Sequence, residues 1–118
     1  MDGAIRLRAA MKASIALIAA CCLMQAGMSV AALPKAATHT IVIEGAAFVP
    51  STLTVKRGDR VVWVNKDPFP HTATAQDRSF DSRVIAANKS WTFTAKKAGE
   101  FPYACKLHPT MKATLIVE

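Results

Sequence analysis

The sequence predicts an all-β fold, a sandwich or barrel of seven or eight short strands, behind an N-terminal leader. Three observations predict it. After a short linker, Pro34–Thr38, the apolar residues recur with period two rather than 3.6. Turn residues (Gly, Pro, Asn, Asp) interrupt the apolar runs at regular spacing. No helical pattern occurs outside the leader.

The leader comes first. Residues 1–33 carry Arg6, Arg8 and Lys12 ahead of an apolar run that reaches Leu33, closed by Ser29, Val30, Ala31 and Ala32. A positive start, an apolar centre and small residues near position 32 read as a secretory signal peptide. Met11 offers an alternative start. Two other readings compete with cleavage. Ile18-Ala19-Ala20-Cys21 resembles a lipobox, which would leave Cys21 lipidated, and roughly 20 apolar residues could remain as a membrane anchor. All three export the rest of the chain, to the periplasm or an equivalent compartment. The expected division is therefore 1–33 as signal or membrane segment and 34–118 as the folded domain.

The strands follow in order. His39–Glu44 is a β-branched run ending at Gly45. Thr52–Lys56 alternates Leu53 and Val55 with threonine, and Arg57-Gly58-Asp59 turns the chain. Arg60–Asn65 is nearly all apolar, which predicts burial on both faces. Pro68 and Pro70 forbid a ladder in the next segment, and alternation resumes over His71–Ala75. A weaker edge strand is expected over Asp81–Ile85. Ser90–Ala95 places Trp91, Phe93 and Ala95 on one face; Phe101–Cys105 does the same with Phe101, Tyr103 and Cys105, and Pro102 predicts an edge position there. Ala113–Glu118 closes the chain. Trp63, Trp91, Phe93 and Phe101 are expected in the core, and Phe48 and Phe69, each near a proline, are left open. About 85 residues can support one such core.

Charge narrows the partners. From Pro34 onward there are 12 Lys and Arg against 7 Asp and Glu, a net charge of +5. The cations are scattered except for Lys56-Arg57 and Lys96-Lys97, and no aromatic residues interleave with them. Such a pattern predicts solvated turns and attraction of an acidic protein surface, not nucleic-acid binding. Cys21 and Cys22 lie in the leader, so the exported part keeps only Cys105, which has no partner for an internal disulfide. A lone thiol in an oxidising compartment is best explained by a metal.

The residues that would hold one lie close together. Tyr103-Ala104-Cys105-Lys106-Leu107-His108-Pro109-Thr110-Met111 sets a thiolate, an imidazole and a thioether three residues apart between two strands. His71, directly after the stiff Pro68-Phe69-Pro70 segment, supplies a second imidazole. Two imidazoles, one thiolate and a weak thioether match a type 1 copper site, with His71, Cys105, His108 and Met111 as its ligands. Zinc accepts the same donors but favours a closed tetrahedron; calcium and magnesium need oxygen. His39, far off in the first strand, is left out.

With these residues in view, VVWVNKDPFPHTATA and EFPYACKLHPTMKATLIVE resemble the two copper-ligand segments of cupredoxins, the plastocyanin-like blue copper proteins. The loop C-x-x-H-P-x-M is most similar to that of the amicyanin branch. The resemblance runs from about Thr38 to Glu118. It implies a Greek-key β-sandwich with one copper at one end, bound by His71, Cys105, His108 and Met111. It also implies that electrons leave by the exposed edge of His108, ringed by Phe69, Pro70, Pro109 and Leu107. Thr72 stands where such proteins commonly have Asn, and Lys106 where a small hydroxyl residue is frequent, which puts the tie between the two ligand loops in question. Lys106, a cation near the thiolate, is expected to favour Cu(I).

The function read from this is one-electron transfer between redox proteins, by a monomer with no nucleic-acid partner and no membrane contact beyond its N-terminus. The alternative is a periplasmic copper module for delivery or tolerance. Three histidines are too few for the second copper of an enzyme on this fold, and no Gly-x-Ser-x-Gly elbow supports a hydrolase.

Overall fold

Alternating side chains become two stacked sheets in the computed structural model, which describes Gly27 and residues 35–118. The readings of the leader, Cys21 and Met11 among them, lie outside the described residues. The strands are β1 (Thr38–Glu44), β2 (Ala47–Val49), β3 (Thr52–Val55), β4 (Arg60–Asn65), β5 (Thr74–Ala75), β6 (Ser90–Thr94), β7 (Gly99–Ala104) and β8 (Lys112–Val117). One sheet has the order β2-β1-β4-β6, the other β3-β8-β7-β5. The β1–β4 and β3–β8 pairs are parallel, and every other ladder is antiparallel. Strands that alternate between two such sheets give the cupredoxin-type sandwich that the sequence led us to expect.

The core lies between the inner faces. Ile41 and Ile43 of β1, Val61 and Trp63 of β4, Phe101 and Tyr103 of β7, and Leu115 and Val117 of β8 are buried there. Trp63 sits at the centre, with the rings of Phe80, Trp91 and Tyr103 at 5.5, 5.4 and 5.6 Å. Its indole N–H donates to the Tyr103 hydroxyl at 3.3 Å, so the polar edge of a buried tryptophan is satisfied. Burial pushes the Tyr103 phenol up to about 12. Of the two open phenylalanines, Phe48 packs edge-on against Tyr103 at 4.7 Å. Phe69 is 63% exposed.

Besides the strand expected over His71–Ala75, which shortens to Thr74–Ala75, four details depart from the sequence reading, each for a local reason. Strand β2 was not expected. It is three residues long and follows a turn in which Gly45 (φ 62°) and Ala46 (φ 53°) are both left-handed. Two successive positive φ values make a tight hairpin, but alanine is not the residue that advertises one. Asp81–Ile85 is no strand; only the bridges His71–Ile85 and Thr74–Asp81 form. There the Asp81 carboxylate accepts the Arg83 N–H at 2.9 Å and Arg83 takes φ 57°, so a side chain turns the backbone that a ladder would have kept straight. Strand β4 buries Val61, Trp63 and Asn65, whereas Val62 and Val64 on the outer face are half-buried. Finally, β7 lies between β8 and β5 rather than at an edge. Pro102 is tolerated because β5 ends at Ala75, opposite Tyr103, and beyond it Pro102 only accepts, from the Gln76 N–H at 2.9 Å.

Candidate metal centre

The chain leaves β4 through Asn65, a polar residue with no exposed surface. Its amide nitrogen donates to the carbonyls of Phe69 (2.8 Å) and Ile85 (2.9 Å), and its oxygen accepts the Asp67 N–H (2.9 Å). One buried amide thus shapes the whole Lys66–Pro70 segment. His71 follows, pinned to Ile85 by a pair of backbone bonds: its N–H donates at 3.2 Å and its carbonyl accepts at 2.7 Å. The imidazole is 1% exposed. Its Nε2 lies 2.8 Å from the Asp67 carboxylate, which also accepts the N–H groups of Gly45 (2.7 Å) and Ala46 (2.9 Å). These donors, the Ala46 N–H foremost, hold Asp67 below the ordinary carboxylate range against the opposing effect of burial.

The second segment begins where β7 ends. Cys105 and Met111 bracket a loop closed by two backbone bonds, Cys105 N–H to the Met111 carbonyl (3.1 Å) and Met111 N–H to the His108 carbonyl (2.9 Å). Cys105 is a free, buried thiol. His108 is the most exposed of the cluster, and Met111 is buried. The structure brings His71, Cys105 and His108 together, with one ligand atom of each within 4.8 Å of the others. The Cys105 sulfur stands 3.7 Å from Nδ1 of His71 and 3.8 Å from Nδ1 of His108. Metal bonds of about 2.0 Å to nitrogen and about 2.3 Å to sulfur, opened to about 120°, would separate S from N by about 3.7 Å. The two sulfur–nitrogen distances therefore match those of a trigonal site.

The two segments are tied across the thiol. The Thr72 N–H points at the Cys105 sulfur at 3.3 Å, and the Thr72 hydroxyl accepts the Lys106 N–H at 2.9 Å. Threonine thus links the loops, and the doubt raised by its replacing Asn does not hold. From Thr72 the bonds continue to the Thr74 hydroxyl (3.0 Å) and on to Asp81 (3.1 Å). Asp81 also takes the Lys106 ammonium at 2.8 Å. Lys106, the Arg83 N–H and Thr74, in that order, hold the Asp81 carboxyl below its ordinary range. Lys106 is therefore paired with a carboxylate rather than a bare cation.

His39 lies apart, as expected. It pairs with Val61 near the start of the parallel β1–β4 ladder, whereas His71 follows the far end of β4, and its Nε2 binds Asp59 at 3.0 Å. Sequence reasoning missed Asn65, Asp67 and Asp81. The available signal was an Asn-x-Asp at the end of an apolar strand, the spacing of an Asx turn.

A thiolate and two imidazoles, with a buried thioether at the end of the same loop, suit copper in both oxidation states. Comparisons with known proteins agree. The family model described as "Cupredoxin-like domain" matches residues 14–117. Amicyanin from Paracoccus versutus is 30% identical over 81 residues, 64% of this chain and 61% of that protein. Chloroplastic plastocyanin from Tetradesmus obliquus is 33% identical over 96 residues, 70% of this chain and 66% of that protein. A solved Cu(I) form of a mutant amicyanin superposes with a TM-score of 0.64 at 24% identity, over 69% of this chain and 82% of the other. A copper-containing nitrite reductase from Thermus scotoductus shares the fold at a TM-score of 0.65 and 28% identity, over 75% of this chain but 23% of its own. The match to the two sequence relatives thus spans about two thirds of their length or less.

Proposed function

The chain belongs to the cupredoxin-like domain family, and on that premise we propose that it is an exported one-electron carrier with a type 1 copper held by His71, Cys105, His108 and Met111. The observation that carries the reading is the triangle of Cys105 sulfur with two Nδ1 atoms at 3.7 and 3.8 Å, formed by backbone and side-chain bonds of the protein itself. Copper bound there supplies a Cu(I)/Cu(II) couple. The protein's part is to keep the donors still. Asn65 and the His71–Ile85 bridge hold one imidazole, Thr72 holds the thiol, and the two bonds across the loop hold His108 and the Met111 backbone. Donors that move little between oxidation states waste little energy in rearrangement, which speeds electron exchange.

Geometry also supports an exit. His71 and Cys105 are sealed from solvent, while His108 is exposed, and the two ligand segments also carry the exposed Phe69 and Leu107 (63% and 49%). An apolar contact face with a net charge of +5 over residues 34–118 suits brief docking to acidic redox proteins. A carrier rather than an enzyme is favoured by the histidine inventory: two stand in the triangle, and the third, His39, is engaged by Asp59. Export rests on the leader, with residues 34–118 as the domain delivered.

The test is the visible spectrum of the purified protein with one equivalent of Cu(II). An intense thiolate-to-copper band, bleached by ascorbate and absent in Cys105→Ser, is the expected result. Copper uptake without colour, or retention of copper only as Cu(I), would turn the reading to delivery or tolerance.

A further inference from the structure

Asp81 stands outside both ligand segments, yet its own segment is fastened to one of them. Ser82 accepts the Ala73 N–H on its hydroxyl at 2.8 Å and donates its N–H to the Ala73 carbonyl at 3.0 Å. That pair sets Asp81 across from Thr74, where the two residues form a bridge. The Asp81 carboxylate then takes three donors. Oδ1 accepts the Arg83 N–H (2.9 Å) and the Thr74 hydroxyl (3.1 Å), and Oδ2 accepts the Lys106 ammonium (2.8 Å).

These donors keep the carboxyl ionised at neutral pH, and an ionised carboxylate can only accept. The direction of every further bond follows from counting hydrogens. Thr74 has one hydroxyl hydrogen and gives it to Asp81. The 3.0 Å contact between the Thr72 and Thr74 hydroxyls is then a donation from Thr72. Thr72 has thereby used its own single hydrogen, and its oxygen meets the Lys106 N–H, at 2.9 Å, with lone pairs alone. A one-way chain results, from the Lys106 N–H to Thr72, from Thr72 to Thr74 and from Thr74 to Asp81. Without the carboxylate, Thr74 could turn its hydrogen on Thr72 and compete with the Lys106 N–H for the same oxygen.

The place where the chain ends gives it weight. Thr72 directly follows His71, and Lys106 directly follows Cys105. The Thr72–Lys106 bond lies beside the contact of the Thr72 N–H with the Cys105 sulfur at 3.3 Å, and the two together tie one ligand segment to the other. Thr72 is 2% exposed, so water is poorly placed to substitute for a hydroxyl that turns away.

We propose that Asp81 is a positioning residue of the candidate metal centre: acting through Thr74 and Thr72, it holds the Lys106 N–H and so keeps the peptide after Cys105 in place before metal arrives. The hold on Lys106 is independent of the electron-carrier reading; its effect on metal binding rests on the ligand set of that reading.

The first experiment measures amide hydrogen exchange in the metal-free full chain. Asp81→Ala should lower the protection of the Lys106 amide about 3- to 10-fold, the worth of one such hydrogen bond. Cys105 and Met111, whose N–H groups bond within the loop, should keep theirs. Asp81→Asn removes the charge but leaves an acceptor oxygen for Thr74, and should retain the protection of Lys106. An unchanged Lys106 amide in Asp81→Ala, an equal loss in the Asn and Ala variants, or an equal loss at all three amides would overturn the proposal. The second experiment is a double-mutant cycle read by Zn(II) affinity. Thr72→Val deletes the hydroxyl and keeps the N–H that faces the thiol. Asp81→Ala should weaken Zn(II) binding about 3- to 10-fold in the wild-type chain and leave it unchanged in the Thr72→Val chain. The same fall in both backgrounds, or none in either, would sink the assignment to the metal centre. Should Asp81→Ala fail to fold, Thr74→Val breaks the chain at its next link and should give the same two results. The expected exchange pattern in a chain that shows no thiolate-to-copper band would uphold the positioning role while the carrier function fails.

Discussion

Two histidine–aspartate pairs occupy opposite ends of the parallel β1–β4 ladder, and they are built alike. At one end Asp59 accepts the N–H groups of Ala37 and Lys56 (2.9 and 3.0 Å) and meets Nε2 of His39 at 3.0 Å. At the other, Asp67 accepts the N–H groups of Gly45 and Ala46 and meets Nε2 of His71. Each carboxylate bolts backbone to an imidazole. The difference lies in what surrounds the ring. The side chain of His39 is 30% exposed and belongs to no metal-ligand cluster among the described residues; that of His71 is 1% exposed and its Nδ1 lies 3.7 Å from a thiol. The pair is a structural fastening in both places, and the cysteine opposite one of them makes that end the candidate metal centre.

Removing each fastening should separate the two ends. Asp67→Ala removes the partner of the buried His71 imidazole and of the Gly45 and Ala46 N–H groups, and should cost about 1–3 kcal/mol in the metal-free protein, read by urea unfolding. Asp59→Ala, at the wetter end, should cost clearly less. Equal losses would break the comparison. Acid offers a finer cut. Asp59 is held at about 2 against an ordinary 3.8, by the Ala37 N–H first and then by His39 and the Lys56 N–H. A depressed carboxyl contributes stability that is complete above its ordinary value and lost as pH falls through the folded one. Asp59→Asn should therefore flatten the fall in stability between pH 3.8 and pH 2; an unchanged slope would show that the fastening contributes nothing there. The smallest effect is expected from Lys106→Thr. Because Asp81 already pairs with the ammonium and both groups are solvent-accessible, the copper potential should move only slightly, and less still at high salt. A large drop would show that the cation acts on the thiolate despite its partner.

The metal-centre end was partly legible in the sequence. Cys105, His108 and Met111 could be seen because their relation is local, three residues apart in one loop, and His71 because two prolines mark its approach. The strands from β3 onward that alternate apolar and polar residues were legible for the same reason. Asn65, Asp67 and Asp81 were not, since their partners (Ile85, the Gly45–Ala46 turn, the Thr74 hydroxyl) come close only after folding. Strand β2 was hidden by Ala46, whose left-handed backbone is held by a carboxylate about twenty residues away. The same competition between side-chain and ladder bonds shortened the strand expected over His71–Ala75 to Thr74–Ala75.

The loop that holds three of the four proposed ligands has one more property. Its ends join residues that oppose each other in a ladder, Ala104 and Lys112. A hairpin tip of this kind is a replaceable cartridge. Mutation can lengthen it, shorten it or change its charge without shifting the register of β7 against β8 or reopening the core around Trp63. Descendants of this sequence could therefore explore new ligand spacings, and with them new redox behaviour, while the sandwich that carries the cartridge stays as it is.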